Sequence, residues 1–216
     1  MDTLIDNFDL ILRGFRETVK LLLSSGLLAL ALGTIVGVAR LSPVPVLRGA
    51  AVVYVTVFRN TPLLVLILIT YYGLPEIGIN FGFFWMITLA MGFYTASFVA
   101  EAIRSGVNGV ALGQAEAARS LGMPFGMTMK EVILPQAFRL VVPPMASVFI
   151  ALTKNTSLAS GFGIAEATFR QNGLLRDFPG DRLLIFVGIA IGYIIIVEII
   201  SFGASRLERR WKAVAR

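Results

Sequence analysis

Long apolar stretches separated by short polar interruptions dominate the chain. Residues 21–39 hold no charged side chain and stop at Arg40. At about 20 apolar residues per crossing, they make one membrane span. Ahead of them Leu4, Phe8, Ile11, Leu12 and Phe15 recur at helical spacing, with Asp2, Asp6, Asp9, Arg13 and Arg16 between. That pattern predicts an amphipathic helix lying in the membrane interface. Ser42-Pro43-Val44-Pro45 reads as a turn, because each proline disfavours helix in the residue before it. A second apolar stretch, 49–73, is interrupted by Arg59-Asn60-Thr61-Pro62. Neither 49–58 nor 63–72 can cross about 30 Å of hydrocarbon alone, so the stretch reads as one kinked span. Pro62 removes a backbone hydrogen bond there and clashes with the carbonyl of Phe58.

The third span is 83–103. A polar, small-residue segment follows over about 104–138, then an irregular fourth span over 140–160 carrying Pro143, Pro144 and Lys154. A wetter stretch with Arg170, Arg176, Asp177, Pro179 and Asp181 leads to a fifth span over 183–205. No internal repeat is visible. The expected fold is therefore all-α: a polytopic transmembrane helical bundle of about five spans, with an N-terminal interfacial helix and a cytoplasmic loop at 104–138. Residues 1–216 form a single domain, with no room left for a separate soluble one.

Composition sharpens this picture. The chain is 56% hydrophobic and only 15% charged, with a mean hydropathy of +0.81, whereas soluble domains carry about 25% charged residues. A water-soluble enzyme is excluded. The absence of Cys and His removes disulfides, thiol nucleophiles, histidine bases and most transition-metal sites. Met1-Asp2-Thr3-Leu4-Ile5-Asp6 lacks the basic n-region of a secretory signal, so the first span is expected to be retained.

In a polar chain the net charge of +6 would suggest nucleic acid. Beside such apolar runs it indicates basic cytoplasmic loops instead. If the first span runs outside to inside, the inner side holds Arg40, Arg48, Arg104, Arg119, Lys130, Arg139, Arg206, Arg209, Arg210, Lys212 and Arg216. The outer side holds only Arg13, Arg16, Lys20, Arg170, Arg176 and Arg182. Eleven against six puts the C-terminus in the cytoplasm and the N-terminus outside.

The most informative segment begins at Gly113. Residues 114–121 are strong helix formers without the apolar length to span. Gly122 can end that helix at positive φ, and Pro124 discourages its return. Met123, Phe125, Met127 and Met129 then set adaptable apolar side chains on a cytoplasmic loop. They suit docking into a partner's groove, or packing against the inner ends of the chain's own helices.

Glu116-Ala117-Ala118, three residues, Gly122, nine residues, Val132, one residue, then Leu134-Pro135 resembles the EAA loop of ABC-importer permeases, with Val where the family usually has Ile. The resemblance extends through Phe58-Arg59-Asn60-Thr61-Pro62-Leu63-Leu64, Tyr71-Tyr72-Gly73-Leu74-Pro75, Glu101-Ala102-Ile103-Arg104-Ser105-Gly106, and Lys154-Asn155-Thr156-Ser157-Leu158 with Glu166. Together these are similar to permease subunits for polar amino acids, most of all the glutamate-importer branch. One departure is Leu66, where many such permeases carry a Gln, so no contact of that Gln is carried over.

The resemblance implies a type I ABC importer. Two permeases, this chain with a second copy or a paralogue, form the pathway in the cytoplasmic (plasma) membrane. A cytoplasmic ATPase dimer binds the loops through Glu116, Ala117, Ala118, Gly122, Leu134 and Pro135, and an extracytoplasmic binding protein delivers the amino acid. The chain itself would be no enzyme and would hold no cofactor, with ATP and Mg on the partner ATPase. Independently, no G-x-x-x-x-G-K-[ST] occurs in the sequence. A competing class is an ion channel or gradient-driven secondary transporter relaying charge through Lys154, Glu166 and Glu198. A third is a membrane scaffold without transport.

Polar residues within spans carry two readings each. Lys154 costs about 2.5 to 3.5 kcal/mol at a span centre on insertion scales. It lines an aqueous route, snorkels to an interface, or pairs with Glu101, Glu166 or Glu198. Asn155, Thr156 and Ser157 are substrate-pathway candidates beside it, and they can also satisfy backbone groups where Pro143 and Pro144 weaken the helix. Glu166 is a candidate for a substrate ammonium or a solvated loop acid. Arg59 either attracts a carboxylate or anchors its span, and the anchor is favoured. Glu198 reads as paired or at a helix interface. Gly33/Gly37 and Gly188/Gly192 match a small-xxx-small helix contact.

Overall fold

The computed structural model describes residues 2–214, with side chains from Thr3 to Arg210. Of the basic residues tallied above, Lys212 and Arg216 fall outside those side chains. Among the described residues every regular element is helical: α1 Asp2–Asp6, α2 Phe8–Leu41, α3 Pro45–Asn60, α4 Leu63–Glu76, α5 Phe83–Asn108, α6 Leu112–Ser120, α7 Phe125–Phe162, α8 Ala167–Asp177 and α9 Arg182–Val214. Four helices are long and apolar enough to cross a membrane, and the bent α3–α4 pair makes a fifth. The five expected spans are all present.

α5 is the hub. It packs along α2 and also touches α3, α4 and α7. Its approach to α2 depends on glycine: a Cβ on Gly33 would lie 2.5 Å from Val99 Cβ and 2.8 Å from the Ala96 carbonyl. Gly37 faces Ile103 and Ala100 in the same way. The expected small-residue contact is thus the α2–α5 seam. Gly188 and Gly192 of α9 instead receive Leu4 and the Phe15 ring. Leu21, Ile67, Ile87, Met91 and Leu152 make the main buried cluster where α2, α4, α5 and α7 meet.

Several boundaries differ from expectation. Only Asp2–Asp6 is separate from the first span, joined through Asn7, whose side chain donates to the Thr3 carbonyl at 2.9 Å. From Phe8 the helix runs unbroken for 34 residues, about 51 Å at 1.5 Å per residue. No glycine pair or proline interrupts residues 8–21, so the amphipathic segment continues into the span instead of forming its own interfacial helix.

The kink at Pro62 is a 100° turn. Thr61 is extended and Pro62 follows at ψ 135°, so two successive residues leave the helical basin. Thr61 satisfies the Val57 carbonyl with both its N–H, 3.1 Å, and its hydroxyl, 2.8 Å. The Met and Phe segment after Pro124 is helical, not loop: it is the start of α7, which passes through a wide π turn at Thr128–Ile133. The wetter stretch contains α8, an eleven-residue helix packed on α2 and α9.

Candidate functional site

α6 stands at one end of the bundle on a helix stop. Leu121 leaves the helix, and Gly122 follows at φ +76°. The Gly122 N–H donates to the Arg119 carbonyl at 2.9 Å and the Met123 N–H to Ala118 at 3.1 Å. This pair of bonds is a Schellman closure, which requires the left-handed residue at Gly122. A Cβ added at Gly122 would meet no neighbouring group within 4 Å, so backbone conformation alone demands the glycine.

Ala118 is buried toward the bundle together with Thr128, Ile133 and Ala137, while Glu116, Ala117, Leu134 and Pro135 are exposed. The Gln136 amide reaches Gln114 Oε1 at 3.3 Å, tying α6 to α7. Leu121 and Phe125 are each 81% exposed, and Met127 is half exposed. They therefore do not pack against the chain's own helices; Met123 and Met129 are partly covered. What results is a short helix anchored by Ala118, presenting an acid and an apolar rim outward.

Along the span region, α5 and α7 enclose a groove of about 360 Å³ lined by Tyr94, Thr95, Phe98, Ser147, Ala151 and Asn155. Pro143, Ser147, Ala151 and Lys154 form one exposed stripe on α7, as i, i+4, i+8, i+11 positions do on a helix. Lys154 makes no ion pair among the described residues. Thr156 is wholly buried, and its hydroxyl donates to the Thr153 carbonyl at 2.6 Å. Ser157 donates to the Lys154 carbonyl at 2.7 Å. Those hydroxyls serve the tightened helix end at Thr156–Phe162. Near the prolines Ser147 reaches back to the Pro143 carbonyl at 3.4 Å.

A second cavity, of about 380 Å³, opens beside the α3–α4 bend and is lined by Arg40, Thr56, Arg59, Asn60, Phe98 and Glu101. Phe98 forms a wall common to both cavities. Glu101 is paired with Arg40 of α2 and Arg104 of its own helix, the Arg104 Nε at 3.0 Å. The Arg59 guanidinium stands farther off, 3.9 Å from Glu101, over the Phe98 ring at 5.2 Å. One carboxylate faces three guanidiniums, so the cluster retains a formal +2, and Arg59 is the arm with donors to spare. It touches α5 through Glu101 and Phe98 and faces the cavity at once.

Glu166 is fully buried. It caps α8 by accepting from the Thr168 N–H at 3.0 Å and the Phe169 N–H at 2.8 Å. The Tyr193 hydroxyl of α9 donates to it at 2.7 Å, and the Thr18 hydroxyl of α2 at 3.4 Å. Burial pushes its carboxyl above the ordinary range, against those four donors. No face is left for a substrate ammonium, which corrects that candidate and the solvated-acid alternative together. Lys154 and Glu198 are exposed on α7 and α9, with Glu166 sealed inside the packing. A Lys154–Glu166–Glu198 relay is therefore not assembled.

Sequence reasoning did not find Tyr94, Ser147 or the Arg40–Glu101 pair. Only Glu101 and Arg104, at helical i,i+3 spacing, were locally readable; Arg40 is 61 positions away.

A family model described as binding-protein-dependent transport system inner membrane component matches residues 29–213. The chain is 36% identical over 215 residues to the glutamate transport system permease protein GluC of Corynebacterium glutamicum, covering 93% of each. It is 35% identical over 211 residues to the probable glutamine ABC transporter permease protein GlnM of Bacillus subtilis, covering 96% of this chain and 95% of that one. A crystal structure of an amino acid ABC transporter with histidines superposes with a TM-score of 0.88 at 31% identity, covering 96% of both chains.

Proposed function

Because the chain belongs to the binding-protein-dependent transport system inner membrane components, we propose that it passes a polar amino acid, foremost glutamate or a related acidic or amide one, into the cytoplasm. It is a membrane permease subunit of an amino-acid ABC importer, and ATP hydrolysis belongs to a separate ATPase. In our reading α6 is the coupling element. The observation that carries this is the exposed helix with Glu116 outward, the Gly122 closure and the apolar rim of Leu121 and Phe125. A rigid, terminated helix can transmit displacement of an ATPase groove, which a frayed loop cannot.

The assembly we propose has two permeases, an ATPase dimer carrying ATP and Mg, and an extracytoplasmic binding protein. The N-terminus lies outside and the C-terminus in the cytoplasm. The substrate follows the α5–α7 groove past Ser147 and Asn155, with Lys154 at its rim, to the Arg59 cavity. The cluster's net positive charge favours a carboxylate, which supports an acidic substrate.

Reconstituted with its ATPase and binding protein, Glu116→Ala or Gly122→Val should leave ATP hydrolysis running while uptake collapses. Undiminished ATP-driven uptake in both variants would overturn the coupling role. Deleting 113–122 should also abolish ATPase co-purification. The chain has no cysteine, so single cysteines introduced at Arg48 and Arg176 test orientation directly. Only the Arg176 position should react with an impermeant maleimide from outside.

A further inference from the structure

At the N-terminal end of α2 an open groove of about 460 Å³ separates α2 from α9. Leu12, Val19 and Leu23 form one wall, Ile195 and Ile196 the other, and Arg16 and Lys20 sit at its rim. The Phe15 ring closes its floor against Gly192, where a Cβ would lie 2.1 Å from the ring. The ring also meets Tyr193 edge-on at 5.5 Å. Beyond the groove α9 turns Ile191, Ile194 and Ile199 outward, an apolar face suited to hydrocarbon that the exposed Glu198 breaks.

Cations stand beside that face. Arg13, Arg16 and Lys20 fall on one face of α2, flanking the Leu12, Val19 and Leu23 stripe. Glu17, paired with Lys20, is the one acid that any of them pairs with among the described residues. Arg16 and Lys20 against Glu17 leave one positive charge in surplus at the rim of an apolar slot, with Arg13 one turn away.

We infer that this groove binds an anionic phospholipid, with the headgroup phosphate on Arg16 and Lys20 and one acyl chain lying between α2 and α9. Charge selects the headgroup and the apolar walls select the tail. A free anion would have no use for the slot, and a neutral lipid none for the rim. On the proposed topology the lipid comes from the extracytoplasmic leaflet, which gives a role to two of the six basic residues on that side.

The test uses the complete detergent-purified complex, delipidated and titrated by native mass spectrometry with phosphatidylglycerol, phosphatidylcholine of matched chains, and glycerol phosphate. Phosphatidylglycerol should bind in preference, losing roughly fivefold for each cation removed in Arg16→Gln and Lys20→Gln. Ile195→Trp, which fills the slot, should abolish binding of both lipids while leaving the cations in place. Equal binding of the two lipids, or a preference surviving in the double Gln variant, overturns the proposal. So does glycerol phosphate binding as well as the lipid, or a crosslink from Leu23→Cys to the second permease. None of these outcomes depends on transport, so failure here leaves the importer reading untouched.

Discussion

Glu166 joins α2, α8 and α9 through a single carboxylate, and its proton is sensitive to that position. Burial raises its pKa in the fold, so the folded state holds the proton more tightly than the unfolded chain does. Its contribution to stability is therefore complete below the unfolded carboxylate value of about 4.3 and is lost as pH rises through the folded value. Glu166→Gln keeps a neutral acceptor and should escape that loss. The melting temperature of this variant relative to the native protein should climb as pH increases from about 4.3, measured in detergent across a pH series. A constant difference would show that the buried carboxylate titrates normally.

At the other end of the molecule, Gly122 occupies the left-handed region, where a Cβ costs roughly 1–2 kcal/mol. Gly122→Asn should preserve coupled uptake better than Gly122→Val, because Asn tolerates that conformation. Arg59→Gln should raise the KM for an acidic amino acid more than for its amide when uptake is measured in vesicles. An equal effect on both would leave Arg59 as an anchor only. The glycine stop was legible in the sequence because turn chemistry is local. The role of Glu166 was not, since Thr18 lies 148 positions away and a buried cap looks like any polar loop residue.

Helix contacts follow the same division. Apolar runs announced five crossings because span length is fixed by the bilayer. They could not announce the angle at Pro62, since proline breaks a helix without specifying where the next one points. Nor did they reveal α8, whose eleven residues are too polar for a span and are held by contacts to α2 and α9. The α2–α5 seam offers a direct check. Gly33→Leu meets the Val99 side chain and the Ala96 backbone, so it should prevent accumulation of folded permease, as seen by fluorescence-detection chromatography. Gly203→Leu, with nothing within 4 Å, should behave as the native protein. Equal profiles would mean that the seam can open without penalty.

Among the described residues much of α7 and α9 is uncovered. A second permease laid along the stripe of Pro143, Ser147, Ala151 and Lys154 would close the groove into a conduit. Single-molecule mass measurement of the solubilised complex should accordingly find two permease chains per ATPase pair.

The Glu101 node adds a mechanical consequence. Its carboxylate fastens the end of α2 to α5 and holds the tip of α3 within reach, so parting those helices would leave like charges without their common partner. They should travel as one rigid block. Spin labels at Val38 and Val52, both exposed, should keep a constant separation when ATP is added, while the distance from Val38 to its counterpart in the other permease changes. On that account the gate is a seam between two stiff halves, with no hinge inside either one.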